Sequence, residues 1–419
     1  MTDKTPHQLP RRPRTGGRWT ILALVLIGGI IATKYIDQAG NNSVNTDSSD
    51  ESEAMPRHLV VISIDTLRAD YLGCYGKEGA NTPNIDALAK DGVMFERHYS
   101  SYPLTLSAHL TQLTGVSSLG HRVRDNLHHS LPAGITTLPE VLKKHNFKTG
   151  AFVSAHTMKS GSGIERGFDV YDDEDVAQPE KGKLTVAERD AETTLKLAGD
   201  WIASTGGDRA FCFIHLFDPH APYQAQAIAG TTSESSTNQR YAGEISYVDQ
   251  QIGVFIERLR KIEMLDNTLI VITSDHGEGL GEHDELTHGY YCYDTTTHVP
   301  LIIRGGPDIK AGTKVPSIVR NYDLAPTLVE LLGISSDKIK SQTHGLSLLP
   351  LINQPDKKLG LSAYVESHYA FLNANWAKIR GLRTDKGLAL FSGSEQVYVT
   401  GKTQTDESTK APEIDSARK

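Results

Sequence analysis

The stretch HLVVISID, residues 58–65, decides the fold predicted for this chain. Its first seven residues form an almost unbroken apolar run, which is typical of a strand buried on both faces in a sheet that helices cover. Asp65 follows this run directly. In an open α/β sheet, ligands bind in the crevice at the carboxyl ends of the strands, so Asp65 is a candidate site residue.

Similar apolar runs alternate along the chain with amphipathic stretches of helical length. The predicted strands are 58–64, 148–154, 210–216, 268–273 and 299–303, and the predicted helices are 83–91, 106–114, 136–145, 185–204 and 241–263. This alternation favours an α/β fold with a mainly parallel central sheet and helices on both faces.

The fourth predicted strand leads into Asp275 and His276, as the first leads into Asp65. The three side chains would meet at one edge of the sheet, where carboxylate and imidazole groups can bind a divalent cation. Capping of the next helix or turn would explain Asp65 or Asp275 taken alone.

The first 55 residues differ in character from the rest. Residues 1–18 carry five basic side chains and one acidic one, residues 19–36 are mainly apolar, and residues 37–55 are polar. This charge asymmetry predicts a cytoplasmic basic tail, one transmembrane signal anchor and a linker. Because the span is short, a cleaved signal peptide and a buried helix are the alternatives. We expect a single-pass cell-membrane protein whose catalytic domain, residues 56–392, is periplasmic or extracellular, with a polar tail at 393–419.

Charge and cysteine content argue against a nucleic-acid-binding protein and against a disulfide-rich one. The formal net charge of −8 and the lack of a basic stripe argue against a nucleic-acid partner. The three cysteines are far apart in sequence, so a disulfide framework is not predicted.

Four longer stretches resemble the sulfatase family within the alkaline phosphatase superfamily. They are VVISIDTLRADYLGCYG (60–76), SYPLTLSAHLTQLTG (101–115), VITSDHGEGLGEHDELTHG (271–289) and TTTHVPLIIRGG (295–306). The resemblance implies an alkaline-phosphatase-like sandwich, an anionic ester substrate, and a divalent cation bound by Asp65, Asp275 and His276.

Thr105 stands at the position of the nucleophile in this family. Sulfatases use a formylglycine made from Cys or Ser, so no formylglycine is expected here. A threonine would instead form a covalent ester that water cleaves in a second step, as in superfamily relatives that act on phosphate. The alternative is that Thr105 only caps a helix.

Further roles follow from the resemblance. His220, in FDPHAPY (217–223), would contact the ester oxygen or protonate the leaving group, unless it is only a turn histidine. His109, where Arg is typical, and His288 would bind the substrate. Arg122 would clamp its anionic group, although a surface ion pair would explain Arg122 equally well.

The resemblance leaves the number and identity of the metal ions open. Asp218 and His288, together with His220, could bind a second cation. Thr66 replaces a second aspartate of the family, which favours zinc or manganese over calcium without settling the choice.

Together these features predict a membrane-anchored hydrolase of sulfate or phosphate esters that acts through a covalent Thr105 intermediate. Two alternatives are a transferase of phosphoryl head groups from membrane lipid and an inactive protein that binds anions.

Overall fold

The structure, a computed structural model, describes residues 55–174, 189–223 and 235–393 and the backbone of 395–399. The predicted anchor at 19–36 lies outside these residues. Within the described ranges, no helix is both long enough and apolar enough to cross a bilayer.

A large central sheet organises the domain. Its strands are β1 (His58–Ile64), β2 (Val93–Tyr99), β3 (Lys148–Phe152), β4 (Val170–Asp172), β5 (Ala210–Leu216), β6 (Thr268–Thr273), β7 (Leu301–Arg304) and β8 (Thr313–Arg320). They lie in the order β4-β3-β5-β1-β6-β7-β2-β8. Only β7 runs antiparallel to its neighbours in this sheet of described strands, which confirms the predicted fold class.

Helices cover both faces of this sheet. They are α1 (Pro83–Lys90), α2 (Thr105–Thr114), α3 (Ser118–His121), α4 (Leu138–Lys144), α5 (Ala191–Ser204), α6 (Thr237–Lys261), α7 (Asp294–Thr297), α8 (Leu324–Leu331), α9 (Asp337–Gln342), α10 (Leu349–Asn353) and α11 (Tyr369–Ala374). All seven residues of β1 are buried. Successive side chains of a strand point to opposite faces, so Val61 packs in one apolar core and Ile62 in the other.

Three strands of the large sheet were not predicted, and one begins later than expected. β2 carries Glu96 and Arg97 in its middle, and the edge strand β8 contains Pro316, so neither forms an apolar run. β4 is only three residues long. The strand predicted at 299–303 starts at Leu301, because Pro300 has no amide hydrogen to donate to a neighbouring strand.

A second, four-stranded antiparallel sheet follows in the chain. It consists of β9 (Ala363–Ser367), β10 (Ile379–Thr384), β11 (Gly387–Ser392) and β12 (Glu395–Val399). The predicted start of a polar tail at residue 393 is therefore wrong, since β12 pairs with β11 along its whole length. Gly393, at φ +60°, lies between the two strands in a conformation that glycine adopts without strain.

Candidate active site

Two neighbouring strands bring the predicted metal ligands together. β1 and β6 are parallel and in register, with Ser63 opposite Thr273, so Asp65 and Asp275 leave the sheet at the same edge. Both carboxylates and His276 are completely buried. One ligand atom from each of the three side chains lies within 4.8 Å of the others.

The imidazole of His276 is oriented by the backbone that follows it. Its Nδ1 donates to the carbonyl oxygen of Gly277 at 2.9 Å, which leaves a lone pair on Nε2. That Nε2 is 3.3 Å from Asp275 Oδ2 and 3.8 Å from Asp65 Oδ1. The three side chains therefore point two carboxylates and one imidazole nitrogen at one small volume.

The two carboxylates fit a divalent cation. Both oxygens of Asp65 and Oδ2 of Asp275 are buried without a hydrogen-bond partner among the described residues. Burial, and then the neighbouring Asp275, raise the pKa of Asp65 well above its ordinary value. Burial opposes ionisation of Asp275 too, but His276, His109 and His215 lower the pKa of Asp275 to about 2. A bound cation would favour the ionised form of both groups.

Thr105 is the first residue of α2 and is almost completely buried. Its Oγ1 lies 3.4 Å from Nε2 of His276, so the hydroxyl group is beside the candidate metal site. The residue at the cap position is Leu104, and the free backbone amide of Leu106 donates to Asn126 Oδ1 at 3.1 Å, so Thr105 does not cap this helix. The capping alternative for Thr105 is therefore wrong, and its hydroxyl faces the site instead.

His109 does not take the predicted role in substrate binding. Its Nε2 accepts from Ser63 Oγ at 2.8 Å, and its Nδ1 donates to the carbonyl oxygen of Thr105 at 2.7 Å. The ring is completely buried, and burial lowers the pKa of His109 to about 3. With both nitrogens occupied, His109 positions the first turn of α2, and hence Thr105.

Ser63 and His215 are site residues that the sequence analysis missed. They are opposite each other on the adjacent strands β1 and β5. His215 Nε2 lies 3.4 Å from Asp65 Oδ2, and burial lowers the pKa of His215 to about 4. The available signal was a histidine near the carboxyl end of the apolar run AFCFIHL, 210–216.

A cavity of about 320 Å³ opens onto Thr105. His220 and His288 line it, together with Phe217, His156 and Tyr369. Among the described residues that line this cavity, none is Lys or Arg.

His220 is arranged to accept a hydrogen bond. Its Nδ1 donates to the carbonyl oxygen of Ala221 at 2.7 Å, so Nε2 carries the lone pair. Burial, and then the neighbouring His288, lower the pKa of His220 to about 4. Phe217 stacks on the ring, with 4.2 Å between centroids. Because this pKa disfavours the protonated ring, the arrangement argues against the predicted protonation of a leaving group and leaves Nε2 able to accept a hydrogen bond.

The predicted second cation site is not assembled. His288 Nδ1 donates to Glu278 Oε1 at 3.0 Å, whereas Asp218 accepts from the backbone amide of Ala191 at 3.2 Å. Neither His288 nor Asp218 belongs to a group of three potential metal ligands within the described part of the chain.

The predicted anion clamp is also not at the site. Arg122 is exposed at the end of α3, at φ +62° and outside the cavity beside Thr105. Arg124 instead donates from Nε to the buried Glu366 of β9 at 2.9 Å. This ion pair joins the small sheet to the segment that follows α2.

Comparisons with known proteins point to one family. The family model described as Sulfatase matches residues 57–334, and that described as N-sulphoglucosamine sulphohydrolase, C-terminal matches residues 281–397. A choline-sulfatase of Rhizobium meliloti (strain 1021) is 31% identical over 188 residues, which are 44% of this chain and 31% of the relative. The matched region is thus about a third of the length of that relative.

Solved structures share the fold at low sequence identity. The yidJ protein of Bacteroides fragilis superposes with a TM-score of 0.68 at 20% identity, covering 83% of this chain and 89% of that protein. A phosphonate monoester hydrolase of Agrobacterium radiobacter gives 0.63 at 22% identity, covering 82% and 89%. The sulfatase family model extends over well over half of the chain and includes the segments that carry Asp65, Thr105 and Asp275. The chain therefore belongs to the sulfatase family.

Proposed function

We propose that this protein is a metal-dependent hydrolase of sulfate or phosphate esters, with Thr105 Oγ1 as its nucleophile. The observation that carries the proposal is the position of this hydroxyl. It lines a cavity and lies 3.4 Å from His276, beside two buried carboxylates with oxygens that have no hydrogen-bond partner among the described residues. The choline-sulfatase among the relatives supports the same class of reaction.

Asp65, Asp275 and His276 would bind the divalent cation, which we expect to be zinc or manganese in preference to calcium. When bound, such an ion supplies positive charge that lowers the pKa of a hydroxyl group and offsets the charge of the transferred group. Its presence would also compensate for the absence of Lys and Arg among the described residues that line the cavity.

In the first step, Thr105 Oγ1 attacks the sulfur or phosphorus atom. The bond from that atom to the ester oxygen breaks, and this oxygen keeps the bonding electrons. Thr105 loses one proton and the departing oxygen gains one, so the product leaves as an alcohol. The product is a covalent Thr105 ester. His109 holds the first turn of α2 during this step through its bond to the Thr105 carbonyl.

In the second step, water attacks the same sulfur or phosphorus atom. The bond to Thr105 Oγ1 breaks, and the proton from water returns to that oxygen. His220 is placed to accept this proton transiently, since its Nε2 carries a lone pair and its ring lines the cavity. Threonine has no second hydroxyl group to expel the anion by elimination, so hydrolysis must complete the cycle. This requirement favours phosphate esters over sulfate esters.

We further propose that the hydrolase acts outside the cytoplasm and is tethered to the cell membrane by residues 19–36. The support is the positive charge of residues 1–18 beside an apolar segment.

The test uses the full-length chain in detergent. It is assayed with an aryl sulfate, an aryl phosphate monoester and an aryl phosphate diester, and its metal content is measured on the same sample. Release of inorganic product that is lost in Thr105→Ala and after chelation would support the proposal. A fully metal-loaded protein that hydrolyses none of the three would contradict it, and bound metal that activity does not require would contradict the metal dependence.

A further inference from the structure

A second histidine, His215, lies beside the three predicted metal ligands. His215 lies on β5, beside β1, and is completely buried. Neither of its ring nitrogens has a hydrogen-bond partner among the described residues. A polar group buried in this way costs free energy, so a partner for the imidazole is expected.

The carboxylate of Asp65 lies between two imidazoles. Its Oδ1 is 3.8 Å from Nε2 of His276, and its Oδ2 is 3.4 Å from Nε2 of His215. Both oxygens also lack hydrogen-bond partners within the described ranges. Because Asp65 Oδ2 and His215 Nε2 are neighbours that both lack a hydrogen-bond partner, a single cation between them would satisfy both groups.

Two of the ligand pairs have the spacing expected around a single ion, and the pair His276 Nε2 and Asp65 Oδ1, at 3.8 Å, is slightly wider. Tetrahedral ligands at about 2.0–2.2 Å from zinc are roughly 3.3–3.6 Å from one another. His215 is 3.4 Å from Asp65, and His276 is 3.3 Å from Asp275. His109, the other histidine near Asp275, is excluded because Ser63 and Thr105 occupy both of its nitrogens.

We propose that His215 is a fourth ligand of the cation bound by Asp65, Asp275 and His276, and that it makes the site selective for zinc over calcium. The inference rests on the metal site of the proposed function. Two imidazoles and two carboxylates suit a borderline ion, whereas calcium prefers oxygen ligands throughout. His215 would thus supply a ligand where Thr66 provides no carboxylate.

The experiment measures binding of Zn²⁺ and Ca²⁺ to the full-length chain in detergent after chelation, by competition with an indicator and by calorimetry. The variants are His215→Asn and Asp65→Asn. His98→Asn is the matched control, because His98 is an equally buried histidine with an unpartnered Nε2, on β2.

We expect His215→Asn to weaken Zn²⁺ binding by about 100-fold or more while changing Ca²⁺ binding by no more than about threefold. His98→Asn should change neither. The inference is overturned if His215→Asn binds Zn²⁺ like the unmodified chain while Asp65→Asn does not. The inference is also overturned if the unmodified chain binds two ions and His215→Asn binds only one. In that case His215 would bind a separate ion. If the unmodified chain binds no divalent cation, the proposed function itself loses its metal site.

A second measurement does not depend on the folding of any variant. Pulsed EPR of the Cu²⁺-loaded, unmodified chain counts the imidazoles that coordinate the ion. Two imidazoles are expected, and a count of one contradicts the inference.

Discussion

Thr105 can be tested separately from its place in helix α2, because valine has nearly the same shape and lacks only the hydroxyl group. We expect Thr105→Val to lower kcat by at least about 10⁴-fold, as removal of a nucleophile does in other hydrolases. The melting temperature should remain close to that of the unmodified chain. Thr105→Ser keeps a hydroxyl group and should retain measurable turnover. An active valine variant would exclude the covalent intermediate.

Glu285 should make stability depend on pH. It is 3% exposed, and its Oε1 accepts from the amides of Tyr290 and Tyr291, both at 3.0 Å. Burial raises the pKa of Glu285 from its ordinary 4.5 to about 8. The folded state therefore favours the protonated form of Glu285, and the stability that this proton provides falls progressively from about pH 4.5 and is lost by about pH 8.

The measurement is urea unfolding at pH 5, 6.5 and 8 for the unmodified chain and for Glu285→Gln. Relative to this variant, the unmodified chain should lose at least about 1 kcal/mol of unfolding free energy between pH 5 and pH 8. If the unfolding free energies of the two proteins change with pH in the same way, the pKa of Glu285 is not raised in the folded state.

At the level of single residues, the sequence predicted those site members that follow strands or open a helix. Asp65, Asp275 and Thr105 occupy such positions, and the structure places them around one volume. His215 was missed because its importance depends on β5 pairing with β1, a contact between segments about 150 residues apart that no local pattern encodes. The role of His109 was wrong for a similar reason, since Ser63 occupies one of its nitrogens from another element.

Among the elements, α2 depends on the residue that ends it. Gly115 has φ +70°, and a Cβ atom there would lie 2.5 Å from Thr343 Oγ1. We expect Gly115→Ala to reduce the unfolding free energy by about 1–3 kcal/mol, through backbone strain and steric overlap. Gly134→Ala is the matched control, because no atom lies within 4 Å of its added Cβ. Thermal melts of the two variants provide the measurement, and equal melting temperatures would contradict the expectation.

The elements that sequence patterns predicted best are those buried on both faces. β1, β5 and β6 have the predicted bounds, since an apolar run of that length admits few other conformations. β2 and β8 were missed because they carry polar residues, and pairing with neighbouring strands specifies them instead. The antiparallel direction of β7 likewise follows from the connections around it and not from its composition.

For the whole molecule, the small sheet should be required for folding. Val365, Ile379, Leu388 and Leu390 form a buried apolar cluster with Cys292, which precedes α7 in the chain. Burial of each large side chain contributes about 1.5–3 kcal/mol, which together approaches the total stability of a typical domain.

A chain that ends at residue 361 should therefore aggregate or unfold, whereas one that ends at residue 399 should fold. Soluble yield, circular dichroism and Zn²⁺ binding of the two chains provide the measurement. A soluble shorter chain that melts like the longer one would show that the small sheet is dispensable.

The central place of β1 in the sheet has a consequence for biosynthesis. Its two partners, β5 and β6, begin about 150 and 210 residues later in the chain. During translation, this strand therefore waits with both edges unpaired and without the apolar neighbours that β5 and β6 supply. Exposed strand edges of this kind promote association between nascent chains. Until residue 273 has been made, we therefore expect the nascent chain to be open to association through the edges of β1.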